Sequence, residues 1–252
     1  MKIDKINIDD IKEIVIHAGK EVMKIYQNDL KINYKNDGSP VTQADLISNK
    51  IICDFLKTKY PSIPLLSEEN KEIDYSVRKN WDCYWCIDPL DGTKDFLNKN
   101  NEFTINVALV YKNKPYMGVV YAPAYGDLYH AQKDKGAFKN NTRLPQYINK
   151  KINKDFKVVV SRSHFSKETR EFIENLECKN AEYTSMGSSL KLCLIAEGSF
   201  DIYPRLEETK EWDTAASHII INEVSRKITQ YEKNETILYN KKNLANPWFI
   251  AK

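Results

Sequence analysis

Across residues 7–26, apolar side chains return at Ile8, Ile11, Val15, Ala18, Val22 and Ile25, a spacing that lines one face of a helix. A second helix is predicted from Thr42, with Ala44, Ile47, Ile51, Ile52 and Phe55 on one face and "YPSIP" ending it. The turn "NDGSP" at 36–40 separates the two. Beyond Asp88 the period changes. "EFTINVALVY" alternates Phe103, Ile105, Val107, Leu109 and Tyr111, which is strand spacing. "KNKP" turns the chain, "YMGVVYAP" reads as the paired strand, and "LYHAQ" follows a turn at 126–127, so this stretch reads as an antiparallel meander. From Lys157 onward strand and helix alternate: "KVVVS", "SKETREFIENL" with Ser166 as its cap, "AEYTSM", "GSSLKLCLIAEG" ended by Gly198, "FDIYP" and "EWDTAASHIIINE".

This change of pattern divides the chain. Residues 1–150 read as an N-terminal α+β half and residues 151–252 as a C-terminal α/β half, with the boundary in the polar stretch 140–155. No internal repeat or low-complexity tract interrupts either half.

Composition narrows the function classes. The 252 residues carry a net charge of +3, from 38 Lys and Arg against 35 Asp and Glu. That balance lacks the basic excess of a nucleic-acid-binding domain. No apolar run reaches the length of a membrane span, and the charged start lacks a signal-peptide core. The expectation is a cytoplasmic protein, free or attached at the cytoplasmic face of a membrane. Cys83 and Cys86 have redox or zinc spacing, but on a strand residues three apart face opposite ways. Ordinary packing is the expected role of both.

The candidate chemistry lies in "DPLDGT". Asp88 is predicted to end an apolar strand, because Pro89 cannot continue the ladder. Asp88 and Asp91 can then converge with a backbone carbonyl on a hard cation such as Mg2+. Gly92 permits close approach, and Thr93 opens a predicted helix whose free N–H groups suit a phosphate. Plainer readings exist for these residues: a turn with a local Asp cap, a helix-capping role for Asp45 three residues after Thr42, a first-turn acid at Asp213 and an N-cap at Ser188.

Together "PVTQAD", "SEEN", "DPLDGTKDF" and "EWDTAA", present in that order, resemble the inositol monophosphatase superfamily of Mg2+-dependent, lithium-inhibited phosphatases. Nearly the whole chain is similar to one branch, the bacterial CysQ-type 3′(2′),5′-bisphosphate nucleotidases. The resemblance rests further on "NEFTINVALV", "GVVYAPAYGDLY", "GSSLKLCLIAEGSFDIYPR" and "NPWF".

The resemblance implies a layered αβαβα sandwich of the sugar phosphatase and inositol monophosphatase type, with an N-terminal antiparallel-sheet half and a C-terminal mixed-sheet half. It implies two or three Mg2+ ions held by Glu68, Asp88, the Leu90 carbonyl, Asp91 and Asp213. Glu68, Asp45 and Thr93 would serve the attacking water, and the Gly92 and Thr93 amides the phosphate. Ser188, Lys191 and Arg205 would hold the nucleotide's sugar, base or second phosphate, with His164 in the adenosine pocket. The implied substrate is 3′-phosphoadenosine 5′-phosphate. An inositol or sugar monophosphatase, or a nonenzymatic sensor of nucleotide phosphates, would use much of the same set. The acid-rich "RLEETKEWD" around Asp213 departs from the pattern and is expected to shift metal affinity or substrate charge preference.

Overall fold

The computed structural model describes residues 3–28, 32–34, 40–145, 156–176 and 181–252. The expected turn at 36–39, and residues 146–155 of the expected boundary stretch, lie outside them. The chain begins with α1 (Ile8–Tyr26), a short antiparallel pair β1 (Ile32–Tyr34) and β2 (Pro40–Thr42), and α2 (Gln43–Lys59). Next come β3 (Leu65–Ser67), the one-turn α3 (Tyr75–Arg78), β4 (Cys83–Asp91) and the short α4 (Thr93–Leu97). The meander follows as β5 (Thr104–Tyr111), β6 (Lys114–Ala122), β7 (Asp127–Gln132), β8 (Ala137–Lys139) and β9 (Thr142–Arg143). The last part holds β10 (Phe156–Ser161), α5 (Lys167–Glu174), β11 (Ala181–Met186), α6 (Leu190–Glu197), β12 (Tyr203–Arg205), α7 (Glu211–Asn222), β13 (Ile228–Gln230) and β14 (Phe249–Ala251).

Strands β3 to β9 form one seven-stranded sheet in sequence order, antiparallel except for the parallel pair β3 and β4. The second sheet is mixed. Strands β10 and β11 pair in parallel, β14 lies antiparallel between β12 and β13, and a bridge from Val158 to Ile202 links the two groups.

The periodicities explain the layers. The α1 stripe Ile11, Val15, Ala18 and Val22 packs with Ile52 and Leu56 of α2 onto Trp85, Ile105, Val107 and Leu109 of the large sheet. The opposite face of that sheet offers Cys86, Ala108 and Val110 to Ile195 of α6 and Ile220 of α7, with Phe249 of the second sheet beyond. Val158, Val160 and Ile202 then meet Ile173 of α5. The order is helix, sheet, helix, sheet, helix. Fully burying such a side chain contributes about 1.5–3 kcal/mol, so both faces of β5 carry a large share of the fold's stability.

Cys83 packs on the α1 and α2 side while Cys86 lies among the α6 and α7 contacts, so the two thiols face different layers, as strand geometry requires. One expectation is corrected. Strand β4 does not end at Asp88: it pairs Asp88 with Asn106, shifts register, and resumes with Asp91 opposite Thr104. Pro89 lacks an N–H, so the ladder opens into an irregularity there rather than stopping. At Gly118 of β6 a Cβ would stand 2.2 Å from the Ala216 carbonyl of α7, so only glycine lets this helix lie so close to the sheet.

Candidate active site

The break in β4 turns the "DPLDGT" segment toward a cleft of about 250 Å³ between the two sheets' ends. Ser48 of α2 donates to the Pro89 carbonyl at 2.7 Å, and the Leu90 N–H donates to Asp88 Oδ1 at 3.1 Å. These bonds fix the segment from both sides. Glu68, in the loop after β3, is anchored by its backbone N–H to the Ile87 carbonyl at 3.2 Å. Asp213 arrives from the first turn of α7. Asp88 is buried, while Glu68, Asp91 and Asp213 are half-buried at or near the cleft wall.

These acids crowd one another. Burial, then the neighbouring Glu68, Asp91 and Asp213, push Asp88 well above the usual carboxylate range. Burial, then Asp91, does the same to Asp213. Enclosure lifts Asp91 to about 6 against the opposing pull of Lys191 and the Ser189 amide. Among the described residues no three His, Cys, Asp or Glu side chains stand at coordinating geometry. The grouping is therefore electrostatic rather than pre-drawn: like charges held close, stable only with protons or cations between them. Carboxylates backed by the Leu90 carbonyl are oxygen donors, the set that a hard divalent cation takes, so the residues present fit Mg2+.

Beside the acids lies a hydroxyl pair. Asp45 accepts the Thr42 N–H at 2.7 Å and the Thr42 hydroxyl at 2.6 Å on Oδ2, completing a capping box on α2. Its other oxygen accepts from the Thr93 hydroxyl at 3.1 Å, and Thr93 Oγ1 stands 3.3 Å from the Leu90 carbonyl. Burial raises the Asp45 carboxyl above its ordinary value, opposed by these donors. The helix cap and the bond to Thr93 of the cleft coexist in one side chain.

The same cleft holds cationic side chains. Lys191 is buried, donates to the Ser188 and Met186 carbonyls at 2.6 and 3.2 Å, and lies over the Tyr203 ring. Burial lowers its ammonium to about 8. Arg205, 6% exposed, gives Nη2 to the Glu208 carbonyl at 3.0 Å and Nη1 to the His164 carbonyl at 3.4 Å, while its Nε has no partner. A buried guanidinium nitrogen left unpaired at a cleft wall is a donor suited to an anion. The His164 side chain is 46% exposed, with Nδ1 3.4 Å from Glu207, and its partial desolvation, then the nearby Arg205, lowers its pKa.

Nine of the twelve expected residues line this cleft: Glu68, Asp91, Gly92, Thr93, His164, Ser188, Lys191, Arg205 and Asp213. Asp45, Asp88 and Leu90 stand behind them, joined through Thr93 and the acid group. Glu211, one of the acids in "RLEETKEWD", is no part of the site. It is fully buried and accepts from Tyr84, the Asn240 N–H and Lys241. Sequence reasoning missed Ser189, whose N–H donates to Asp91 Oδ2 at 2.6 Å and whose hydroxyl donates to Asn106 at 2.8 Å. Asn106 carried a visible signal, a polar residue inside the apolar run of β5. Ser189 carried none, because its contact spans 98 positions of sequence.

The chain is 38% identical over 244 residues to the 3′(2′),5′-bisphosphate nucleotidase CysQ of Salmonella typhimurium, covering 96% of this chain and 98% of that one. The crystal structure of CysQ from Bacteroides thetaiotaomicron, a bacterial member of the inositol monophosphatase family, superposes with a TM-score of 0.86 at 39% identity, covering 96% of this chain and 95% of that one. An IMPase/NADP phosphatase complexed with Mg2+ and phosphate shares the fold, with a TM-score of 0.79 at 21% identity over 96% of this chain and 88% of that one. The family model described as "Inositol monophosphatase family" matches residues 5–251, and the chain belongs to that family.

Proposed function

We propose that the chain is a Mg2+-dependent 3′(2′),5′-bisphosphate nucleotidase that removes the 3′-phosphate of 3′-phosphoadenosine 5′-phosphate, giving AMP and phosphate. The observation that carries this reading is the two-signed cleft, which holds a crowded acid group together with Lys191 and the unpaired Nε of Arg205. A monophosphate needs only the acid wall and its cations. A second phosphate gives the Arg205 wall a purpose.

Glu68, Asp88, Asp91, Asp213 and the Leu90 carbonyl would hold two or three Mg2+ ions. When bound, the ions supply positive charge that acidifies a water and offsets the charge on the leaving ribose oxygen. Glu68 and Thr93 orient the attacking water. The Thr93 hydroxyl already donates to Asp45 Oδ1, so its lone pairs are left for the water's proton while its own proton passes to Asp45. The Gly92 and Thr93 amides face the phosphate oxygens. Ser188, Lys191 and Arg205 hold the sugar and second phosphate, and His164 borders the adenosine. Among the described residues no helix is long and apolar enough to cross a membrane, and the substrate is a small molecule.

Phosphate release from a panel of bisphosphate nucleotides and inositol phosphates, with and without lithium, tests the reading. The bisphosphate nucleotide is expected to be cleaved fastest, with lithium inhibiting. Faster cleavage of inositol 1-phosphate would transfer the assignment to an inositol phosphatase. No release from any substrate with Mg2+ would favour a sensor.

A further inference from the structure

We propose that Glu102 and Arg162 form a charge clasp that positions the turn at 187–189 against the loop at Gly92. This clasp sets the cleft's affinity for the sugar and second phosphate; that substrate half rests on the nucleotidase reading above. Neither side chain lines the cleft, so both act through the turn.

Glu102 precedes β5 and is 9% exposed. Its Oε2 accepts the Gly187 N–H at 2.6 Å and Arg162 Nε at 3.1 Å, and its Oε1 accepts Arg162 Nη2 at 2.6 Å. Arg162 also grips the strand entering the turn: its backbone N–H donates to the Met186 carbonyl at 3.0 Å and its Nη2 to the Ser185 carbonyl at 3.1 Å. A forked guanidinium–carboxylate pair fixes direction as well as distance, and one such pair here joins the two halves of the chain.

What the clasp holds is tightly packed. A Cβ on Gly187 would stand 2.4 Å from Asp95 Oδ2 and 2.6 Å from the Glu102 carbonyl, and a Cβ on Gly92 would stand 3.2 Å from Ser188 Cβ. Ser188 sits at φ 49, a left-handed conformation that a non-glycine residue keeps only when its surroundings over-determine it. Three bonds provide that constraint: Glu102 at the Gly187 N–H, Asp91 at the Ser189 N–H and Lys191 at the Ser188 carbonyl. Asp91 and Lys191 belong to the cleft itself. The clasp is the constraint that stands outside it. Releasing it lets Ser188 relax and shifts the Lys191 carbonyl partners, while the acid group stays in place.

R162K keeps the charge on a part-exposed side chain but loses the fork; E102Q keeps an acceptor for Gly187 but loses the ion pair. Both variants are expected to speed hydrogen exchange at the amides of 187–190. In R162K the KM for 3′-phosphoadenosine 5′-phosphate should rise about 10-fold with kcat nearly unchanged, the scale of one lost hydrogen bond to a charged group. The KM for p-nitrophenyl phosphate, which lacks sugar and second phosphate, should hold. Unchanged exchange in R162K, or equal losses on both substrates with kcat falling, would overturn the clasp. If E102Q fails to fold, R162K decides alone. The exchange arm needs no turnover: a wild-type enzyme inactive on the nucleotide defeats the functional reading while the exchange result still judges the clasp.

Discussion

Helices α2 and α7 begin alike and serve differently. Each places an aspartate in its first turn with Oδ2 accepting the backbone N–H three residues earlier, Asp45 from Thr42 at 2.7 Å and Asp213 from Lys210 at 2.8 Å. Beyond that bond their neighbours diverge. Asp45 is met by the hydroxyls of Thr42 and Thr93, which compensate part of its burial. Asp213 is met by Asp91 and Glu68, which add to its burial. The cap fixes where each carboxylate stands, and the surroundings decide its work. A capping geometry is thus no argument against a role at a site. Helix α6 offers the contrary case: Lys191 lies in its first turn, where the helix dipole disfavours a cation, and it is buried there facing Asp91.

The contrast can be broken by experiment. The largest effect is expected from D213N, with phosphate release falling about 10³-fold or more. Its melting temperature in EDTA at neutral pH should nonetheless rise. A folded-state pKa raised above the unfolded value means that ionisation at neutral pH costs stability, and the amide removes that cost. A lower melting temperature would show that Asp213 is a helix cap first. D45N should lose about 10²-fold in rate, as for a proton-handling group, and should gain less in melting temperature than D213N because hydroxyl donors already serve Asp45. Lys191 comes next. Its ammonium is present below about pH 8 and lost above it, so the KM for the bisphosphate nucleotide should rise by up to about 10-fold per pH unit beyond that point. K191M should show a high KM without the rise. The smallest effect belongs to T42A: about 1 kcal/mol of stability in urea unfolding, from the lost cap, with a few-fold slower turnover. A turnover loss as large as that of D45N would mean that Thr42, not Thr93, is the partner that matters.

Much of this was legible before any coordinates. The stripe of α1 and the alternation in β5 gave the segments, while the layers and most of the cleft residues came from the family resemblance that the four motifs carry. What escaped shares one cause. Glu102 with Arg162, Ser189 with Asp91, and Arg78 with the Lys241 carbonyl are pairings between distant segments, and a linear pattern carries no register between them. Strands β13 and β14 are three residues each, too short for alternation to show. Pro89 misled because a ladder can open around a proline and close again two residues later, as β4 does at Asp91.

Gly118 carries a lesson for anyone seeking variants with a new substrate range. The missing methyl at that strand position sets how deeply α7 beds down, and α7 brings Asp213 with it. Mutant libraries confined to wall residues would overlook such a depth gauge, although adding one carbon there would move the Asp213 carboxylate without touching any residue of the cleft wall.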